Sequence, residues 1–405
     1  MRLIAVLVFV LFTAPWAHAG EKESLAWAER VLAKDLTQAS LSDRLFSLGS
    51  GACYSSEDAF QAVIRKYGPS GAAYIGLVRA QMFGADYNHV LKTATLALSL
   101  SPGDPYLAKA LRRANLHLAA ATKIAAHVDK DRVVWRCEPF PAAGQSCWLV
   151  LSAADEPRNS LETSSCNCFP AVLTHVRLSL WSLARTTPAR LWTSGQIVNP
   201  VLPEDYNGLS LAVIDFLGNG SPGVLVGGFY SGGSWAPSSI NAYAWRSGKL
   251  VEVLHAGGHE PLDAKDLNGD GKIEFIAVHT IGTEMSHAEQ PRWPDIYSYH
   301  RGRYVISNKD FPNYYKGWIT DLRRLLREYP SDWDLEWHLG MLYQICGNRP
   351  DAIKHYKRAV RHTSSVADQT DGEYTRYVRS IHKQIEQQLR ALQGRTDARI
   401  RWRVH

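Results

Sequence analysis

Residues 266–303 carry the pattern that decides the fold of the central part of the chain. Alternating apolar and aromatic residues between Gly and Pro are typical of β-strands. Gly302 in the second position of a two-residue turn favours a tight hairpin, because such turns need a positive φ. The stretch therefore predicts consecutive antiparallel strands. Its parts are a loop (Asp266-Leu-Asn-Gly-Asp-Gly-Lys-Ile-Glu274), an apolar segment (Phe275-Ile-Ala-Val278), an aromatic segment (Ile296-Tyr-Ser-Tyr299) and the turn His300-Arg-Gly-Arg303.

The same order of segments occurs earlier in the chain, so the strand region is a repeat. Gly248 lies in a turn equivalent to that of Gly302, 54 residues before it. A period of about 50 residues with several strands is typical of propeller blades. Three units would not close a propeller, and we expect an open arrangement whose ends are covered by helices. The earlier apolar segments are Trp148–Leu151 and Gly223–Val226, and the earlier aromatic segments are Val176–Trp181 and Ala242–Trp245.

The loop at residues 266–274 has the spacing of a cation site. Oxygen-bearing side chains at alternate positions followed by Gly allow one tight loop to surround a hard cation. An EF-hand would need its last acid at Ala277 and a helix on each side, so that interpretation fails. The alternative is an acidic turn without an ion. The calcium prediction assigns side-chain oxygens to Asp266, Asn268 and Asp270, the backbone carbonyl to Lys272 and the closing carboxylate to Glu274.

This loop and the strand after it resemble the FG-GAP (VCBS-type) repeats of integrin-α-like propellers. The resemblance covers residues 209–308 and extends to 132–195 as a third unit. It implies propeller-blade-like sheets and a structural calcium ion. The earlier loop, Asp215–Gly223, has Leu217 and Gly223 where ligands should be, so we expect no calcium there. The first unit has lost the loop.

Both ends of the chain show helical periodicity. Near the C-terminus, a Leu-Gly pair is followed by aromatic and small residues at fixed intervals, a pattern that resembles a tetratricopeptide repeat (TPR). Small residues let two antiparallel helices approach closely, and the aromatic residues fill the space beside them. A fainter copy of this pattern lies in the N-terminal half, at Tyr74, Leu77, Ala97 and Pro102. The alternative interpretation of this copy is a generic helical hairpin. The predicted packing positions are Leu339, Gly340, Tyr343, Ala352, Tyr356 and Ala359.

The first 19 residues have the order of a secretory signal peptide. Arg2 precedes the apolar run Leu3–Phe12, and Ala17-His-Ala19 is a cleavage signal. A membrane anchor is the alternative, but the run is too short to span a bilayer. We therefore expect an exported protein, periplasmic or secreted, without a transmembrane segment in the mature chain.

In an exported protein, four closely spaced cysteines are expected to form a cluster of disulfides. Cys166 and Cys168 are too close for an unstrained bridge to each other, so each is expected to pair with Cys137 or Cys147. The sequence does not choose between the pairings. Zinc is the weaker alternative, because the spacing lacks a CxxC knuckle.

Aromatic residues in the Gly- and Ser-rich loops of the strand region are candidate ligand contacts, because they can stack on a sugar or a peptide side chain. The alternative is that they fold back onto the sheets. No catalytic motif is recognisable: the chain has no Walker loop, HExxH or GxSxG. Asp263 or Glu260 would supply the acid of a carbohydrate-active enzyme. The candidate ligand contacts are Phe229, Tyr230, Trp235 and Trp293.

Composition limits the function classes. The chain has 405 residues, 45% hydrophobic and 21% charged, which excludes a disordered or fibrous protein. A formal charge of +6 is too small to indicate nucleic-acid binding. A mean hydropathy of −0.22 excludes a multi-span membrane protein.

These observations predict a multidomain α and β protein in which TPR-like helical segments flank an antiparallel β domain of FG-GAP-like repeats. The expected function is a non-enzymatic binding or scaffold protein that binds a protein or peptide through its helices, with carbohydrate as a further ligand of the β domain. The alternatives are an extracellular carbohydrate-active enzyme and a structural cell-envelope assembly protein. The predicted boundaries are signal peptide 1–19, helical segment 20–128, β domain 129–308, helical domain 309–394 and basic tail 395–405.

Overall fold

The computed structural model of the chain describes residues 21–38, 52–83, 87–144, 146–157, 171–197, 208–229, 238–259, 262–280, 292–369 and 372–394. These residues form nine α-helices and three four-stranded antiparallel sheets, in the order helices, sheets, helices. The predicted mixed α and β composition is thereby confirmed. The predicted signal peptide and basic tail lie outside the described residues.

The described part of the N-terminal helical segment contains five helices, and each packs chiefly on its neighbours in sequence. Asp104 starts the last of them: its carboxylate accepts the backbone N–H of Leu107 (3.0 Å), and Pro105 stands in the first turn, where no amide hydrogen is needed. Gly76 lies against the ring of Phe60, so closely that a Cβ there would come within 2.1 Å of the ring. The helices are α1 (Glu21–Gln38), α2 (Ala52–Tyr67), α3 (Gly71–Phe83), α4 (Tyr87–Leu100) and α5 (Pro105–Ala125).

Each sheet is a meander whose strands pair with their neighbours in sequence. The apolar and aromatic segments of the repeat form the second and third strands of each sheet, as predicted. Gly248 (φ 80°) and Gly302 (φ 97°) occupy the second positions of two tight hairpins, which confirms the predicted turns. The first sheet contains β1 (Arg132–Pro139), β2 (Cys147–Pro157), β3 (Ala171–Ser182) and β4 (Ala189–Thr193). The second contains β5 (Gly208–Ile214), β6 (Gly223–Phe229), β7 (Ser238–Arg246) and β8 (Lys249–Gly258). The third contains β9 (Asp263–Lys265), β10 (Glu274–Thr280), β11 (Arg292–His300) and β12 (Arg303–Ile306).

The three sheets stack face to face with the second sheet in the middle. Successive side chains of a strand point to opposite faces, and β6 uses both: Val224 packs towards Leu149 of the first sheet, whereas Leu225 packs towards Phe275 of the third. All four side chains are fully buried. The central sheet is therefore apolar on both faces.

In the described residues, four helices follow the sheets. Asp332 caps the second of them by accepting the backbone N–H groups of Asp334 (2.9 Å) and Leu335 (3.3 Å). Gly347, at φ 76°, makes the turn between the second and third helices. The helices are α6 (Pro312–Glu328), α7 (Trp333–Ile345), α8 (Arg349–Gln369) and α9 (Glu373–Gln393).

The two helical segments cover the two outer faces of the stack. Ile124 of α5 packs against Trp148 on the outer face of the first sheet. Tyr315 of α6 and Leu342 of α7 pack against Ile296 on the outer face of the third. Among the described residues the stack does not close on itself, and helices cover both of its ends. In the part of the chain that the structure describes, no helix has the length and apolar character that a bilayer crossing requires.

Candidate functional site

The third-sheet loop, Asp266–Glu274, joins β9 to β10 and contains all five predicted calcium positions. The carboxylate of Asp266 accepts the backbone N–H groups of Gly269 (2.6 Å) and Gly271 (2.9 Å). Asn268 accepts the N–H of Asp270 through its side-chain oxygen (2.9 Å). Gly269 and Gly271 have φ near +80°, which glycine adopts without strain. The side-chain oxygens of the first half of the loop are therefore bound to its own backbone.

The second half of the loop carries a local ion pair and a buried carboxylate. Asp270 accepts the N–H of Lys272 (2.9 Å) and pairs with its ammonium group (2.6 Å), which holds the pKa of Asp270 below its usual range and raises that of Lys272. Glu274 is 1% exposed and accepts the N–H of Leu267 (2.8 Å); burial raises its pKa. Tyr304 fixes the end of the loop by donating to the carbonyl of Ile273 (2.9 Å).

The chemistry of this loop fits a hard cation. Three carboxylates and one ammonium leave a formal charge of −2, and every candidate ligand is an oxygen. Within the described residues, however, no three side chains of His, Cys, Asp or Glu converge to hold a metal ion. The reason is local, since the oxygens face backbone N–H groups and the ammonium of Lys272. A calcium ion would have to replace that ammonium beside Asp270.

The second-sheet loop, Asp215–Gly223, joins β5 to β6 and makes the same turn. Asp215 accepts the backbone N–H groups of Asn219 (3.2 Å) and Gly220 (2.6 Å). Phe216 enters the apolar layer between the second and third sheets and is 1% exposed. A Cβ on Gly223 would lie 2.1 Å from the Phe216 ring, so this ring fills the space where the other loop has Glu274.

The two loops contact each other directly. The backbone N–H of Ile273 donates to the carbonyl of Phe216 (3.0 Å). Gly218, at φ 61°, lies against the backbone of Gly271, and a Cβ at position 218 would be 2.4 Å from the Gly271 carbonyl oxygen. Outside the loops, Arg246 at the end of β7 links the same two sheets by donating to Tyr299 and to the Gly302 carbonyl. The conformation of each loop is therefore stabilised by contact with the other loop.

Of the four aromatic candidates for ligand contact, the structure describes one side chain. Trp293 lies in β11, where its indole donates to Asp295 (3.1 Å) and its ring packs among the side chains of the C-terminal helices. Trp293 therefore lies in a strand and not in a loop as expected, and its role as a ligand contact stays a prediction. Phe229 ends β6, but its side chain, Tyr230 and Trp235 lie outside the described side chains.

Cys137 and Cys147 are buried on opposite faces of the first sheet. Cys137 faces α5, whereas Cys147 faces the second sheet, and the two are not bonded to each other. Both are free thiols in the structure. Their expected partners, Cys166 and Cys168, lie outside the described residues, so the bridges stay a prediction.

The six predicted packing positions near the C-terminus are all buried between α7 and α8. Gly340 lies against Tyr356, and a Cβ there would come within 2.7 Å of the ring. Trp337 is fully buried and donates to Gln388 of α9 (2.9 Å). Sequence reasoning thus identified the contact of these two helices, and α9 extends it.

Two polar clusters escaped sequence reasoning, because their members are far apart in the chain. His279, whose pKa is lowered by burial, lies 3.7 Å from Asp295, which accepts the side chain of Asn308 (2.7 Å). Glu336 is 2% exposed and contacts His355 and Arg358 of α8. The only sequence signal for the second cluster was an acid at a position where the TPR pattern has an aromatic residue.

The carboxylates considered for catalysis do not form a described pair. Asp263 contacts Lys265 through its carboxylate (2.8 Å), and Glu260 lies outside the described residues. Comparison of the chain with protein-family models, with curated proteins and with solved structures returns no match. The functional proposal for this chain therefore rests on the geometry of the described residues.

Proposed function

We propose that this chain is an exported, non-enzymatic binding or scaffold protein whose helices bind a protein or peptide. The observation that carries the proposal is the array from α6 to α9, in which each helix packs chiefly on its neighbours in sequence. Arrays of this kind have extended surfaces that are typical of polypeptide binding. The close approach of Gly340 and Tyr356 supports a TPR-like hairpin in this array.

The three stacked sheets act in this proposal as a rigid support. Their four-strand meanders and their repeat of about 50 residues favour propeller-blade-like units. Both outer faces are covered by helices, so the surfaces left for ligands are the loops at the strand ends. Such loops on a rigid scaffold are common ligand sites.

Calcium has a structural role in this proposal. It would bind the third-sheet loop through Asp266, Asn268, Asp270, Glu274 and the carbonyl of Lys272, and neutralise the charge of −2. Extracellular calcium sites have dissociation constants of about 0.1–1 mM. At about 10 mM calcium this corresponds to about 1–3 kcal/mol of stabilisation. We expect mature protein to melt at a higher temperature with calcium than with chelator, and identical melting curves would contradict the calcium role.

Peptide binding is tested with a displayed library of unstructured peptides panned on the mature protein. We expect recovered peptides to protect backbone amides of α6–α9 from hydrogen exchange, since a bound chain covers and orders the helices. Recovery of no peptide, or protection confined to the sheets, would contradict the proposal. Incubation with polysaccharides is the control for the enzymatic alternative, and release of sugar would favour that alternative.

A further inference from the structure

The C-terminal helical array contains a polar cleft of about 490 Å³ that the repeat pattern does not explain. One wall is the start of α7, and the other is the middle of α8. The cleft is lined by Pro330, Glu336, Arg358, Arg361 and His362.

The acid of the cleft is already neutralised. The Glu336 carboxylate contacts His355 through one oxygen (2.5 Å) and Arg358 through the other (3.4 Å). Because it is 2% exposed, it needs these partners, since an unpaired buried charge is costly. Glu336 therefore fixes the cleft wall and leaves no carboxylate for the remaining cations.

Arg361 is the remaining cation of the cleft, and it has no acidic partner among the described residues. Its side chain is exposed, and the neighbouring His362 is half-exposed. The acids at the start of α7 do not line the cleft: Asp332 caps the helix, and Asp334 lies 3.7 Å from His338. The cleft thus has an excess of positive charge.

This excess continues along one side of α8. Residues three, four and seven apart lie on the same side of a helix, and Lys354, Lys357, Arg358 and Arg361 have this spacing. The stripe is about 10 Å long, since each helical residue adds about 1.5 Å. Alternate side chains of an extended peptide recur about every 7 Å, so two acids of one peptide match its length.

We propose that this cleft and stripe bind an acidic peptide segment, with Arg361, Lys357 and Lys354 contacting its carboxylates. The proposal rests on the proposed function and specifies its partner class. A peptide fits better than an isolated anion, because the cations form a line that leads into the cleft. Arginine suits this task, since its planar group binds carboxylates through two hydrogen bonds.

The test uses fluorescence polarisation of a labelled peptide of alternating Glu and Ala with the mature protein. We expect it to bind more tightly than the same peptide with Gln for Glu, and more weakly as NaCl rises from about 50 to about 200 mM. Arg361→Glu should weaken binding at least about tenfold, because it replaces a contact by a repulsion. The matched control is Lys383→Glu, which reverses an exposed cation on α9 and should change affinity less than about twofold.

Three outcomes would overturn the acidic-peptide assignment. Equal binding of the Glu and Gln peptides would remove the charge argument. An equal effect of Arg361→Glu and Lys383→Glu would show non-specific attraction. Arg361-dependent binding to vesicles containing anionic lipid, without binding to the peptide, would assign the stripe to membranes. If neutral library peptides still protect α6–α9 from exchange, the proposed function stands and only this assignment fails.

Discussion

The second-sheet and third-sheet loops have the same turn but stabilise it in different ways. In both, an aspartate accepts two backbone N–H groups, from residues 219 and 220 in one loop and 269 and 271 in the other. The second-sheet loop then places Phe216 in the apolar layer between sheets. The third-sheet loop instead has a buried Glu274 and two further exposed oxygen-bearing side chains. The same turn thus positions an aromatic ring for packing in one loop and oxygen-bearing side chains in the other.

The largest expected effect comes from removing the aromatic ring. Phe216→Ala should lower the free energy of opening of β10 by about 3–5 kcal/mol. The ring contacts Phe275 and Tyr304, and its removal would leave a cavity beside them. Hydrogen exchange of the β10 amides measures this quantity. The matched control is Leu267→Ala in the other loop, where the half-buried side chain should cost less than about 2 kcal/mol. Equal losses would contradict the difference between the loops.

The contact between the loops is tested at two glycines. Gly218→Ala adds both a strained φ and a clash with the Gly271 carbonyl, and we expect a loss of about 2–4 kcal/mol. Gly220→Ala has similar strain at φ 77° but open space around it, so it should cost about 1–2 kcal/mol. Thermal and denaturant unfolding of both variants measure the difference. Equal losses of stability in the two variants would mean that the contact between the loops does not stabilise them.

The effect of calcium on the melting temperature should depend on the third-sheet loop and not on the second-sheet loop, which substitutions at equivalent positions can test. Asp270→Ala should abolish the difference in melting temperature between calcium and chelator, since it removes a proposed ligand. Asn219→Ala, its counterpart in the second-sheet loop, should leave the difference unchanged. If both variants or neither lose the difference, the calcium site is not in the third-sheet loop.

The smallest effect is expected at the exposed ion pair. Lys272→Ala should change stability in chelator by less than about 1 kcal/mol, because both partners are over one-third exposed. In calcium the same variant should bind the ion more tightly, since no ammonium competes for Asp270. Ser221→Ala at the equivalent position is the control. Calorimetric titration with calcium alone measures the affinity, and weaker binding by Lys272→Ala would contradict the competition.

Much of the fold was predictable because its signals are local. The strand segments, the hairpins at Gly248 and Gly302, and the helical contact of Gly340 with Tyr356 follow from periodicity, turn chemistry and side-chain size. The candidate site was only partly predictable. The sequence identified the acids of the third-sheet loop, but it did not predict that Trp293 is covered by helices or that Glu336 contacts α8.

The sequence by itself determined the order of helices and strands, the repeat and the turn shared by two loops, since each depends on residues close in the chain. Only the tertiary structure decided which faces are covered. It brought Phe216 to Phe275, Gly218 to Gly271, and Glu336 to His355 and Arg358. These contacts depend on how sheets and helices stack, and burial of apolar faces against distant partners controls that stacking.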